Sequence, residues 1–166
     1  VPPQKATTNA SEARAHTVMS GISGTRPIDL KSVRLQRVAA ALGPAYFRAS
    51  GTPANSVFFQ DDDEPALAAP PEGYGYLLTR SIWRDVLGFA KAADAKILTS
   101  FTVNVKVRDQ EGVWTPLMAG PLLDYTRKQG GNIYAAELFN EPNLPSYGGV
   151  PIGYDSQSFA RDQVAF

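Results

Sequence analysis

Apolar positions along the chain follow two alternating rhythms. From Asp29 to Leu42 they fall at Leu30, Val33, Leu35, Val38, Ala39 and Leu42, a spacing close to helical, and Gly43-Pro44 ends the run. Ala45 to Ala49 is a brief apolar and aromatic stretch that predicts a strand opening into the Ser50-Gly51-Thr52-Pro53 turn. Thr79 to Ala93 predicts a helix, with Thr79 or Ser81 as N-cap and a stripe of Ile82, Val86, Leu87, Phe89 and Ala90. Lys96 to Val107 is rich in Ile, Leu, Phe, Thr and Val, and predicts a buried strand with a polar C-terminal end at Asn104, Lys106 and Arg108. Leu117 to Gln129 predicts another helix, closed by Gly130-Gly131. Tyr134 to Phe139 predicts a short strand that runs straight into Asn140-Glu141-Pro142, and Asp155 or Ser156 caps a last helix through to Phe166. Upstream, Thr17 to Ile22 has weak β character. A long loop is expected from the Gly51 turn to about Leu78, holding the acidic run Asp61-Asp62-Asp63-Glu64 and Pro- and Gly-rich sequence. Connections of that length are usually functional or disordered.

The order is strand then helix, repeated four times, which implies parallel strands joined by right-handed crossovers. A doubly wound sheet and a closed barrel share this order. No Gly-x-Gly-x-x-Gly or Gly-x-x-x-x-Gly-Lys-Ser/Thr sequence follows any predicted strand, which argues against a nucleotide-binding sheet. The expected fold is therefore α/β, the first half (about four βα units) of a (β/α)8 TIM barrel, since a complete barrel needs about 250 residues. Residues 1–16 are expected to be a polar N-terminal tail, and residues 17–166 the partial barrel, its remainder absent from this chain.

Composition narrows the partners. Of 166 residues, 43% are hydrophobic, enough for one domain with a real core. Sixteen basic residues balance sixteen acidic ones, so no net field favours nucleic acid or an anionic membrane. The absence of cysteine excludes disulfides, thiolate metal sites and a cysteine nucleophile, but not secretion. No apolar run approaches the roughly 18 residues of a membrane span, and Val1 to Ala15 lacks the order of a signal peptide. The single histidine, His16, lies in the polar N-terminal tail and reads as a surface residue.

Glu141 carries the most pointed chemistry. Barrel enzymes place catalysis at the C-terminal ends of strands, where the loops converge on one cleft. Glycosidic hydrolysis needs one carboxyl group to protonate the departing oxygen and a second carboxylate to attack or to activate water. Glu141, after the fourth predicted strand, suits the first role. Asn140 can donate its amide to a sugar hydroxyl, and Pro142 fixes the turn.

The segment Ala136-Glu137-Leu138-Phe139-Asn140-Glu141-Pro142-Asn143 resembles the Trp-Glu-Leu-Gly-Asn-Glu-Pro-Asn segment of heparanases and related β-glucuronidases, glycoside hydrolase family 79. Leu42-Gly43-Pro44-Ala45-Tyr46-Phe47-Arg48-Ala49-Ser50-Gly51-Thr52 is similar to that family's Leu-Ser-Pro-Ala-Tyr-Leu-Arg-Phe-Gly-Gly-Thr, and Asn104-Val105-Lys106-Val107-Arg108 to its Asn-Ala-Leu-Leu-Arg. Leu122-Leu123-Asp124-Tyr125 also fits, so the likeness runs from about Leu30 to Phe166. The resemblance implies a retaining hydrolase of β-linked uronic-acid glycosides, with no metal or organic cofactor. It implies Glu141 as proton donor and general acid/base, Asn140 against the hydroxyl beside the anomeric carbon, and Thr52 and Asn104 lining the cleft. It also implies a secreted, extracellular or periplasmic protein.

Alternatives stand beside these roles. Thr52 also suits a turn before Pro53, Asn104 also suits backbone groups at a strand end, and Arg48 reads as a buried ion-pair member. Glu137 shares the side-chain parity of Glu141, but four strand residues separate them by about 13 Å, against about 5 to 5.5 Å in a retaining pair. Glu137 is therefore expected to be structural.

The family's nucleophile follows a seventh strand, which this chain does not reach. The chain alone is expected to be inactive, with a second polypeptide or a missing C-terminal segment completing the barrel. The acidic run would repel a sulfated glycan if it lined the cleft, or simply face solvent. Ser50 stands where the family has glycine, and Val18 to Gly24 lacks its usual acidic and Asn residues. The competing expectations are a catalytically silent carbohydrate-binding or assembly fragment of a hydrolase scaffold, and a related hydrolase that cleaves a neutral sugar.

Overall fold

The computed structural model describes residues 28–147 and 149–166. The predicted strand at Thr17 to Ile22, the polar tail and His16 lie outside the described residues. The fold is mixed α/β with parallel strands. In chain order the elements are α1 (Val33–Ala40), β1 (Ala45–Ala49), a 3-10 helix (Thr52–Ser56), β2 (Val57–Gln60), β3 (Tyr76–Thr79), α2 (Arg80–Ala92), β4 (Ala95–Ser100), a 3-10 turn (Val105–Val107), α3 (Ala119–Lys128), β5 (Ile133–Glu137), a 3-10 turn (Pro145–Tyr147) and α4 (Ser156–Ala165).

Three strands form a sheet in the order β1-β4-β5, every pair parallel. Tyr46 lies opposite Lys96 and Arg48 opposite Leu98, while Ser100 lies opposite Glu137. One irregularity, at Ile97/Leu98 on the β5 side, shifts the register around Tyr134. Side chains alternate across such strands. Ala49 and Ile97 are buried in the core, with Phe47 packed edge-on to Phe89 of α2. Tyr46, Arg48, Lys96 and Tyr134 project from the other face and stay exposed. There Tyr46 and Tyr134 pack with ring centroids 5.5 Å apart, and the Lys96 ammonium lies 4.4 Å from the Tyr134 centroid.

The helices begin and end where the residue types demand. Ser32, Thr79 and Asp155 cap α1, α2 and α4 by accepting from the backbone N–H groups of Leu35, Ile82 and Ser158. At the end of α3, Gly130 takes φ +70, and the N–H groups of Gly130 and Gly131 bond to the carbonyls of Arg127 and Thr126. Trp83 of α2, 2% exposed, donates its indole N–H to the Thr126 hydroxyl of α3 at 2.7 Å, so its ring is buried without an orphaned donor.

Two expectations are corrected. The stretch expected to be one loop from Gly51 to Leu78 holds the first 3-10 helix and a second, two-stranded parallel sheet pairing β2 with β3. Val57-Phe58-Phe59 is too short a run to stand out beside so many turn formers, yet Val57 and Phe59 are buried. The strand expected from Lys96 to Val107 ends at Ser100. Phe101, Val103 and Val107 are apolar because they enter the core from an irregular connection, not because they continue the ladder.

That connection is tied to α4 by a buried ion pair. Arg108 donates to both Asp162 carboxylate oxygens, at 3.0 and 2.9 Å, and to the Val103 carbonyl at 2.8 Å. Asp162 also accepts from the Trp114 N–H and from the Tyr154 hydroxyl. Burial, and then the hydrogen bond to Asp162, push the Tyr154 phenol well above its ordinary value. The two charged side chains are 4% and 1% exposed, so removing one strands the other out of water. Asp162→Ala is expected to lower the unfolding free energy by about 3 to 5 kcal/mol, and Tyr154→Phe by about 1 kcal/mol. Urea unfolding followed by tryptophan fluorescence ranks the two; similar losses would contradict the assignment of Asp162 as the charge that matters.

Candidate functional site

Past the ends of β1, β4 and β5 three connections converge. The Phe101 N–H donates to the Leu138 carbonyl, the Val103 N–H to the Asn55 carbonyl, and the Thr102 hydroxyl to the Val57 carbonyl. These bonds carry the chain from Glu137 through buried Leu138 and Phe139 to Asn140 and Glu141. Asn55, 2% exposed, seals the junction: its amide N–H donates to the Asn140 carbonyl and its side-chain oxygen accepts from the Asn140 N–H, both at 2.9 Å. Glu141 follows in the left-handed region at φ +53, and its carbonyl accepts from the Leu144 N–H to close the turn through Pro142.

The side chains meet in one hydrogen-bonded array. Asn140 donates from Nδ2 to Glu141 Oε2 at 2.8 Å, and Thr52 donates its hydroxyl to the same oxygen at 3.2 Å. Gly51, at φ +124, makes the bend that presents Thr52. Arg48 donates from Nη2 to Asn140 Oδ1 at 3.0 Å, which sets the orientation of the Asn140 amide. The same guanidinium grips both oxygens of Glu137, each at 2.8 Å. Among the described residues, Glu141 Oε1 has no hydrogen-bond partner.

Charge organises this array. The Arg48 guanidinium beside Glu137 holds that carboxyl below its ordinary value, chiefly through the paired hydrogen bond. Glu137 in turn raises Arg48, and the Glu141 charge adds to the effect. The expected ion-pair role of Arg48 stands with Glu137 as its partner. Its expected burial does not, because both side chains lie on the open face of the sheet and are 44% and 40% exposed.

Three of the four expected site residues, Glu141, Asn140 and Thr52, come together. Asn104 does not join them. It is 1% exposed, accepts from the Lys106 N–H to cap a 3-10 turn, and donates to the Gly73 carbonyl at 2.8 Å. Its amide thus satisfies backbone groups, the alternative the sequence left open. Asn55 was missed, since it sits in a turn-rich segment with no periodicity around it.

The acidic run is largely answered by arginines. Asp61 and Asp63 each accept from Arg80 at 2.9 Å, and Asp63 also from Arg84 at 3.4 Å. Asp62 folds back on Gln60 and on the Glu64 N–H. A separate depression of about 680 Å³ lies at the opposite, N-terminal strand ends, lined by residues that include Arg84, Lys91, Lys96, Asn132 and Tyr134. It has no carboxylate in its lining, so the chemistry read from Glu141 has no counterpart there. Among the described residues no cluster of His, Asp and Glu is arranged to hold a metal ion, and no helix is long and apolar enough to cross a membrane.

No family model matches the chain, and no curated protein matches it significantly in sequence.

Because the lowered native value of Glu137 is caused by Arg48, the sign of its pH effect follows. The stabilisation is fully present above the ordinary carboxyl value of 4.5 and is lost as pH falls through the lower native value. Exposure and salt screening keep it below about 1 kcal/mol. In Arg48→Met the Glu137 carboxyl is expected to titrate near its ordinary value. Carbon-detected NMR titration checks this, and an unshifted Glu137 titration would exclude Arg48 as the cause.

Proposed function

We propose that this chain carries the acid/base half of a retaining β-glycosidase of the heparanase and β-glucuronidase type, acting on uronic-acid-containing glycans. The supporting observation is Glu141 itself. It stands past the C-terminal end of a parallel strand with Oε2 held by Asn140 and Thr52 and with Oε1 free of partners among the described residues. With Oε2 so occupied, the proton is carried on Oε1. As the nucleophile carboxylate, proposed to come from the remainder of the barrel, bonds to the anomeric carbon and the glycosidic C–O bond breaks, that proton passes to the departing oxygen, which keeps the bonding electron pair. The resulting Glu141 carboxylate then takes a proton from the water whose oxygen bonds to the anomeric carbon and displaces the nucleophile carboxylate. Asn140, held between Arg48 and Glu141, is the residue proposed to meet a sugar hydroxyl.

The strand order β1-β4-β5 is the order in which these strands would stand in the first half of a TIM barrel, with the Arg48 and Glu137 face turned to the barrel interior. Parallel sheets are ordinarily covered on both faces. Here Tyr46 and Tyr134 are 63% and 52% exposed, and no described strand pairs with the outer edges of β1 and β5. A second polypeptide or a further segment is proposed to cover this face, complete the barrel and bring the nucleophile.

A second reading, a catalytically silent carbohydrate-binding or assembly scaffold, is favoured by one observation. Glu137, the other carboxylate in the array, has both oxygens bound by Arg48 and so offers no nucleophile.

In the intact native protein, Glu141→Gln is expected to lower hydrolysis of methyl β-glucuronide, whose methoxide departs only with a proton, about 100- to 10,000-fold. Steady-state kinetics read this, with methyl β-glucoside alongside to test the uronide preference. An unchanged rate in the variant would remove Glu141 from catalysis. Faster cleavage of the glucoside by the wild type would move the activity to neutral sugars.

A further inference from the structure

Glu141 and Asp94 are the two non-glycine residues with positive φ among the described residues. For an L-residue the left-handed region costs about 1 to 2 kcal/mol, and it persists only where the surroundings impose it. Beside the Leu144 bond that closes the turn, one side chain holds the backbone that enters Glu141. The Asn140 carbonyl belongs to the peptide unit that enters Glu141, and the Asn140 N–H to the unit before it. Asn55 holds both, as donor to one and acceptor from the other. A carboxamide is the side chain that offers a donor and an acceptor side by side in one plane. Asn55 is itself fixed, since its main-chain carbonyl accepts from the Val103 N–H at 2.9 Å. The short helix Thr52–Ser56 also carries Thr52, which donates to Glu141 Oε2. One five-residue segment therefore grips the backbone ahead of Glu141 and the carboxylate at its tip.

We propose that Asn55 is a positioning residue for Glu141: by closing both backbone groups of Asn140 it fixes the left-handed turn and aims Oε1 at the leaving-group oxygen. The proposal rests on the reading of Glu141 as general acid/base. Asn55 touches no reacting atom and acts wholly through the Asn140 peptide units. Leucine at this position keeps the approximate shape and removes both bonds. Aspartate keeps the acceptor but lacks the donor when ionised; protonated, it offers both again.

The test uses Asn55→Leu and Asn55→Asp. Amide exchange of the chain should show the Asn140 N–H exchanging at least about tenfold faster in Asn55→Leu, beyond any change in global unfolding. In the intact native protein, kcat/KM is compared for 4-nitrophenyl β-glucuronide and methyl β-glucuronide. The phenolate departs with little acid assistance, whereas methoxide needs a well-aimed proton. Asn55→Leu is expected to lose about 100-fold on the methyl glycoside and only a few-fold on the nitrophenyl one. Asn55→Asp should regain the methyl activity relative to wild type as pH falls and its carboxyl protonates, which also provides a readout if the leucine variant folds poorly. Unchanged Asn140 exchange, an equal loss on both glycosides, or no recovery of the aspartate variant at low pH would each overturn the proposal. Glu141→Gln separates the two ideas. If it retains hydrolysis of the methyl glycoside, the acid/base reading fails, while the exchange data still report whether Asn55 holds the turn.

Discussion

Beyond the C-terminal ends of β1, β4 and β5 the ladder stops, yet the chain stays buried for several residues, so its backbone N–H and C=O groups must find other partners. Leaving such a group unpaired costs about 1 to 3 kcal/mol. Side chains provide many of the answers here: Asn55 for Asn140, Asn104 for Lys106 and Gly73, Thr102 for Val57, and Asp162 for Trp114. Each bond joins two connections or closes one. The result is that loops far apart in sequence form one platform, and Glu141 is delivered on it. A site that must hold a carboxyl group in one place gains from such a platform, because its geometry is determined by buried amides with little room to move.

Charge is distributed according to depth. The Arg108–Asp162 pair is buried and structural, its oxygens surrounded by an indole-bearing backbone N–H and a phenol. The Arg48–Glu137 pair lies on the open sheet face and reaches the site through Asn140. A buried pair stabilises mainly because removing one partner is so costly. A half-exposed pair contributes little to folding, which leaves orientation of the Asn140 amide as the consequence with chemical meaning. The aspartates of the acidic run, paired with Arg80 and Arg84, leave a weaker local field than four consecutive acids suggest.

The sequence made the principal α/β elements legible wherever burial follows a simple period. The stripe of α2, the Gly130-Gly131 stop and the Asp155 cap are local signals, and they appear where local physics puts them. It was misleading where apolar residues enter the core without a period, as at Phe101, Val103 and Val107, and where β2 hides among turn formers. Glu141 was legible for a related reason, since a polar tripeptide directly after an apolar strand marks the place where a parallel strand meets its loop.

What the sequence determined by itself was therefore the alternation of strand and helix and the placement of Glu141 just past a strand end, because both depend on neighbours within a few residues. The partners of Glu141 were decided only by the tertiary structure. Thr52, Asn55 and Arg48 lie 89, 85 and 92 positions from the residues they hold in the 140–141 pair. Hydrogen bonds across that separation leave no periodic trace in the chain. Folding also brought Asn104 to the Lys106 N–H and the Gly73 carbonyl, the second of which lies 31 positions away and has a place only once the connections pack.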